Sequence, residues 1–127
     1  MMTKKEVAQA YINELEQGHV ANVVALFSAN GIVESPLYGL QNASDFYVQL
    51  NNDTHNSKLS LKGIFEDHNT GHMALYFEYI WTLRSDEKVT FDVVDILEFD
   101  TNNKITKLKI IYDTVISRRL LESLEAE

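Results

Sequence analysis

A chain of 127 residues with 45% hydrophobic and 24% charged residues has the make-up of a soluble globular protein and suffices for one substantial core. The absence of cysteine excludes a disulfide framework, a thiol nucleophile and thiolate metal ligands. A formal net charge of -8 speaks against a nucleic acid partner, and no apolar run is long enough to cross or anchor in a membrane.

The amino terminus leads into an amphipathic pattern and not an apolar signal core, so a cytoplasmic location is expected. Thr3 with Glu6 three residues on is a capping-box pair. Val7, Ala8, Tyr11, Ile12 and Leu15 recur at helical spacing, and Gly18 is a natural stop. A second helix is predicted over Val20, Val23, Val24 and Phe27. Asn30-Gly31 punctuates, and Ile32 to Glu34 reads as a short strand ended by Pro36. Asn42 or Ser44 caps a third helix that carries Phe46, Tyr47 and Leu50, and residues 51–57 read as a polar loop.

From there the period is that of strands. Leu59, Leu61 and Ile64 mark one, and His72 to Leu83 alternates cleanly, with Met73, Leu75, Phe77, Tyr79, Trp81 and Leu83 on one face. Turns at Ser85-Asp86-Glu87 and at residues 100–103 lead into strands from Val89 to Phe99 and from Ile105 to Val115. Arg118 to Glu127 is weakly amphipathic and reads as a terminal helix. The pattern predicts one α+β domain over residues 1–127, with three N-terminal helices packed on a curved, mostly antiparallel sheet.

Two strands are apolar on both sides. Phe91, Val93 and Leu97 share a face with Asp95, while Val94 and Ile96 lie opposite; Leu108, Ile110 and Tyr112 oppose Ile111 and Val115. An antiparallel sheet with a wet outer face should alternate more cleanly. The far face is therefore expected to be covered, by the terminal segment or by a second subunit, and a homodimer is the favoured expectation.

Asp95 has the parity of the inward apolar residues. A carboxylate there is costly unless paired or protonated, and no Lys or Arg occupies a matching inward position on the adjacent strands. A neutral acid donates a hydrogen bond. Tyr11, on the inner face of the first helix with Val7 and Leu15, is placed to donate as well. The same residues also fit a plain core tyrosine and a structural acid bonded to Tyr11 or Tyr47.

Ala10-Tyr11-Ile12 before the Gly18 turn, Val24-Ala25-Leu26-Phe27, Val33-Glu34-Ser35-Pro36 with Gly39, Asp45-Phe46-Tyr47 and Asp92-Val93-Val94-Asp95-Ile96 follow one another in an order that resembles the ketosteroid isomerase-like, or SnoaL-like, branch of the nuclear transport factor 2-like superfamily. The resemblance implies a cone-shaped fold with a deep apolar pocket. It implies that Tyr11 and Asp95 match the oxyanion-hole donors, that Tyr47 buttresses Tyr11, and that Phe27 replaces a network tyrosine of some members. Ser35 stands where the isomerases carry their aspartate base. A carboxylic acid kept neutral by an apolar site, so that it donates to an oxyanion, is the device of ketosteroid isomerase itself.

Serine without a partner base does not abstract a proton at neutral pH. Glu34, Asp113 and His72 face outward by parity, and Tyr79, though inward, is a poor base. His68 and His72 flank a glycine-containing turn rather than sharing a helix, so no metal site is expected. No phosphate loop or dinucleotide fingerprint is present, and no cofactor is expected.

The expected site therefore has Tyr11 and Asp95 as its acting pair, with Phe27, Ser35, Tyr47, Leu75, Phe77, Phe91, Val93, Ile110 and Tyr112 around a small apolar ligand that bears a carbonyl. Isomerase, cyclase or lyase chemistry fits an enzyme of this kind. A non-catalytic binding module and a dimeric interaction protein are the alternatives.

Overall fold

The structure, a computed structural model, describes residues 1–126. Helix α1 (Lys4–Gln17) starts at the expected capping box: Thr3 Oγ1 accepts the Glu6 amide at 3.1 Å, and the Glu6 carboxylate accepts the Thr3 amide at 2.9 Å. Gly18 ends the helix in the left-handed region, at φ 73°, where a glycine carries no Cβ penalty. Helix α2 is a single short segment, Val20–Val24.

Phe27 is not on that helix. It opens strand β1 (Phe27–Ser35), three times the length that Ile32 to Glu34 suggests. The reason is a partner far along the chain. The Ile105 amide donates to Leu26 O at 3.0 Å, and Phe27 pairs with Ile105 in a parallel ladder. The sequence reading also lacks β2 (Gly39–Asn42), which pairs antiparallel with β1.

Asn42 Oδ1 accepts the Asp45 amide at 2.8 Å and caps α3 (Ala43–Asp53). Residues 51–57 are no loop. Asn51 to Asp53 complete α3, and Thr54 begins β3 (Thr54–Glu66) because β4 (Met73–Leu83) extends far enough to pair with it, Thr54 opposite Leu83. Strands β5 (Lys88–Phe99) and β6 (Ile105–Ile111) complete the meander. The last strand stops four residues before Val115, where α4 (Val115–Glu125) begins instead of at Arg118. Glu127 lies outside the described residues.

The sheet has six strands in the order β2-β1-β6-β5-β4-β3, antiparallel except for β1 with β6. Helix α1 packs on β3, and α3 reaches β1, β2 and β3, so the helices cover one face of the sheet. Along β4 the residues Met73, Leu75, Phe77, Tyr79 and Trp81 are all buried, as the alternation predicts. Helix α4 turns Leu121 and Leu124 into the same core, and Arg118 donates to Pro36 O at 2.7 Å. It leaves Ile111 49% exposed on the other face. Among the described residues no helix is long and apolar enough to cross a membrane.

The register of β1 shifts between Phe27 and Ile32, and Gly31 sits in that irregularity. A Cβ there would stand 2.9 Å from Phe27 Cβ and 3.0 Å from the Ile105 carbonyl oxygen. One of those neighbours is backbone of the partner strand, which cannot swing aside. Gly31→Ala is expected to lower stability by about 1–3 kcal/mol, the ordinary cost of overpacking. Urea unfolding checks this; a midpoint equal to that of the native chain would contradict the tight β1–β6 approach.

Candidate functional site

Between the covered face of the sheet and helices α1 and α3 lies a cavity of about 50 Å³. Tyr11 and Leu15 reach it from α1, Phe46 and Leu50 from α3, and Phe77, Tyr79, Phe91, Val93, Asp95 and Ile110 from the sheet. Strand register explains the assembly. Leu75, Asp95 and Ile110 are cross-strand neighbours on β4, β5 and β6. Continuing the parallel register one residue beyond Glu34↔Lys109 brings Ser35 beside Ile110. Asp95 and Ser35 thus share one inward row, two strands or about 10 Å apart in backbone.

Asp95 is 1% exposed, and its Oδ1 is buried without a hydrogen-bond partner. Among the described residues no hydrogen bond or ion pair to its carboxyl is present, so the structural acid bonded to Tyr11 or Tyr47 is not what the chain builds. Burial pushes its carboxyl well above the ordinary carboxylate range. The physical cause is desolvation alone, because no cation offsets it.

The Tyr11 hydroxyl instead meets the Tyr47 hydroxyl at 2.7 Å, with the rings edge to face and their centres 6.1 Å apart. Burial holds both phenols well above their usual range. The pair offers a proton, not a base. Tyr79 is likewise raised by burial, to about 12, and its hydroxyl is tied to Ser57 Oγ at 2.7 Å. Tyr79, Phe91 and Tyr112 form a stacked aromatic wall, with centres 5.5 and 4.5 Å apart and planes within 20°.

Ser35 is 7% exposed, and its Oγ accepts the Tyr38 amide at 2.8 Å. This bond folds the segment between β1 and β2 back over the pocket and leaves the Ser35 proton for another acceptor. Leu37 and Tyr38 line the cavity from that turn. Tyr38 donates to the Asp53 carboxylate at the end of α3 at 2.7 Å.

Not every expected residue reaches the cavity. Tyr11, Ser35, Phe77, Phe91, Val93, Asp95, Ile110 and Tyr112 line it. Phe27 packs on Tyr47 with ring centres 5.7 Å apart, Leu75 is fully buried in the core, and Tyr47 stands one layer behind Tyr11. Tyr38 and Trp81 line it without having been singled out from sequence. For Trp81 the signal was available, since it shares its strand face with Phe77 and Tyr79. For Tyr38, in a turn, no periodicity could point inward.

The groups weighed as substitute bases lie elsewhere. Glu34 faces Lys107 and Lys109 at 3.8 and 3.5 Å, His72 faces Glu98 at 3.8 Å, and Asp113 is exposed. A second cleft, about 100 Å³, opens between the ends of α1 and α3 and the start of β3. It touches Tyr47 but not Asp95, and its carboxylates are engaged: Glu14 with His19 and Asn22, and Glu16 with the Leu59 amide. The apolar cavity with the unpartnered Asp95 is the chemically distinctive one.

No protein-family model matches the chain, and no curated protein matches it by sequence. Solved structures do match in shape. An NTF2-like protein of unknown function from Burkholderia pseudomallei aligns with a TM-score of 0.80 at 14% identity, covering 94% of this chain and 98% of that one. A hypothetical protein with a ketosteroid isomerase-like fold from Catenulispora acidiphila, in complex with trimethylamine, gives 0.75 at 14% identity over 87% and 88%. The epoxide hydrolase/cyclase-like enzyme SalBIII gives 0.74 at 16% identity over 87% and 90%. At such identities the likeness speaks for the fold, and the fold of this chain is that of nuclear transport factor 2-like and ketosteroid isomerase-like proteins.

Proposed function

We propose that this protein binds a small, uncharged, hydrophobic carbonyl compound and polarises its oxygen with a protonated Asp95 and the Tyr11 hydroxyl. The observation that carries the reading is the Asp95 carboxyl, fully buried in an apolar cavity with no protein partner. An unpaired buried acid costs stability, and a ligand oxygen that accepts its proton recovers that cost. Either hydroxyl of the Tyr11–Tyr47 bond can donate, and with Tyr47 as donor the Tyr11 proton is free for the same oxygen. No cation lines the cavity, which disfavours carboxylate or phosphate ligands.

Such donors stabilise an enolate but do not create one. Ser35 holds the place opposite Asp95 where a base would serve, and its oxygen is occupied by the Tyr38 amide. Ligand holding, or chemistry whose proton transfers the substrate supplies, fits this arrangement better than steroid isomerisation. The fold accommodates such roles: a neighbour is crystallised with trimethylamine, another with polyporic acid, and SalBIII acts in pyran ring formation.

We further propose that the protein is a homodimer packed through the uncovered sheet face. There Tyr76, Val94 and Ile111 form one cross-strand row, with Ala74 and Ile96 in the next. Apolar area of this kind is stabilised by an isologous partner. Light scattering at micromolar concentration is expected to give twice the 14.5 kDa chain mass, and a monomer at every concentration would remove the dimer.

The state of Asp95 is testable without a ligand. Its folded pKa lies above the unfolded value of about 3.9, so the native state binds the proton more tightly than the unfolded one. The stability that this proton confers is complete below about pH 3.9 and is lost as pH rises towards the folded pKa. Asp95→Asn removes the titration. The stability of the variant relative to the native chain is expected to rise by about 1.4 kcal/mol per pH unit across that window. A difference that stays flat with pH would mean an ionised, satisfied carboxylate and would end the donor reading.

The missing base is testable by adding one. The native chain is expected to isomerise β,γ-unsaturated ketones very poorly, for want of general-base transfer worth about 10²–10⁴-fold. Ser35→Asp is expected to produce measurable conversion to the conjugated isomer, which Asp95→Ala or Tyr11→Phe then reduces. Strong activity in the native chain would reveal a base elsewhere. A folded Ser35→Asp variant inactive on several ketones would leave only the ligand-holding role.

A further inference from the structure

The cavity is too small for the ligand that its walls suit. About 50 Å³ accommodates a few waters, whereas sites for drug-sized molecules enclose about 300–1,000 Å³. A ligand of that size enters only if part of the wall moves. The walls differ in how firmly they are held. Tyr11, Leu15, Phe46 and Leu50 sit in helices, and the sheet residues belong to paired strands. Apart from Tyr112, the lining residues outside helix and strand are Leu37 and Tyr38, in the turn between β1 and β2. Segments without ladder hydrogen bonds open at the lowest free energy.

That turn is fastened by side chains from distant parts of the chain. The Tyr38 hydroxyl donates to Asp53 Oδ2 at 2.7 Å, and the other Asp53 oxygen lies 3.7 Å from Arg84 Nη1. The Tyr38 ring stands edge to face on Phe46 with centres 5.7 Å apart. The Tyr38 amide is bonded to Ser35 Oγ, and the Pro36 carbonyl accepts from Arg118 of α4. On its far side the turn ends at Gly39, in the left-handed region at φ 74°, with nothing within 4 Å of where a Cβ would stand. β2 beyond it is a four-residue edge strand that pairs with β1 alone. The turn is therefore tethered by a few polar bonds, with open space beside its hinge.

We propose that residues 36–39 are a lid over the pocket and that the Tyr38–Asp53 hydrogen bond is its latch. The lid rests on the reading of the cavity as a ligand site, but the latch has a consequence of its own. Opening breaks the Tyr38–Asp53 and Tyr38–Ser35 bonds and swings Leu37 and Tyr38 away, which widens the mouth of the Asp95 cavity. Closing restores both bonds and excludes water from the Asp95–Tyr11 pair. The latch sets how fast ligands enter and leave. It does not itself touch the reacting oxygen.

The probe is 6-propionyl-2-(dimethylamino)naphthalene, a neutral fluorescent aryl ketone followed by stopped flow. Tyr38→Phe keeps the ring and loses the latch; Asp53→Asn keeps the shape and weakens the acceptor. Each is expected to speed both association and release about tenfold, the scale of one lost hydrogen bond to a charged group. Rates unchanged in both variants would overturn the lid. Amide hydrogen exchange at Tyr38, whose N–H is held by Ser35, is read on the same proteins without dye. It is expected to quicken about tenfold in Tyr38→Phe, and unchanged exchange would equally overturn the latch. If the native chain takes up no dye while exchange still quickens, the latch stands and the carbonyl-ligand reading fails.

Discussion

The parallel pairing of β1 with β6 is the constraint on which the rest of the molecule depends. The meander β3 to β6 is assembled from neighbours in sequence, joined by tight turns. Strand β1, from the helical half of the chain, enters the sheet where Phe27 meets Ile105 and Val33 meets Leu108. That seam places β1 and β2 at the far edge, which carries Ser35 and the Tyr38 turn to the pocket and leaves α1 and α3 lying over the bent face. Non-local pairings of this kind are slow to form, because loop closure is spent before the contacts reward it. Gly31, pressed between Phe27 and the Ile105 carbonyl, marks how closely the two strands approach.

The site follows from a conflict between burial and charge. A carboxyl inside an apolar cavity, without cation or donor, is held in its protonated form by desolvation. A mutation to Asn, Leu or Val would relieve that conflict, so Asp95 reads as a local sacrifice of stability of the kind found at binding and reactive sites. Its surroundings agree. Tyr11 and Tyr47 are bonded to each other, Tyr79 is bonded to Ser57, and Trp81 donates to Thr54 Oγ1 at 2.8 Å. In that company Asp95 stands out because no described residue bonds to its carboxyl.

Dynamics and chemistry meet at Ser35. Its oxygen holds the Tyr38 amide, so the residue that faces Asp95 across the pocket also helps to close the pocket. An ionised aspartate there would accept the same amide more strongly and bring a buried charge into the cavity beside the neutral Asp95. A serine makes the same bond without that charge, which agrees with the proposed ligand-holding role.

Much of this was legible in the residues. The capping box at Thr3 and Glu6, the Gly18 stop and the Asn42 cap are local bonds spanning a few residues, and the chain alone determined them. Strand parity is local too, which is why Asp95 inward and Glu34 outward could be read from alternation, whereas His72 and Asp113 lie just beyond the ends of β4 and β6. Only the tertiary structure decided the rest. Phe27 became strand, and residues 54–57 became strand, because partners remote in sequence captured their backbones. Phe27, Tyr47 and Leu75 fell behind the cavity wall because depth within a core depends on how helices seat on the sheet, which periodicity does not encode. Tyr38 entered the wall because, beyond the local turn bond to Ser35, its hydroxyl is bonded to Asp53, and that second bond exists only once α3 and β1 lie side by side.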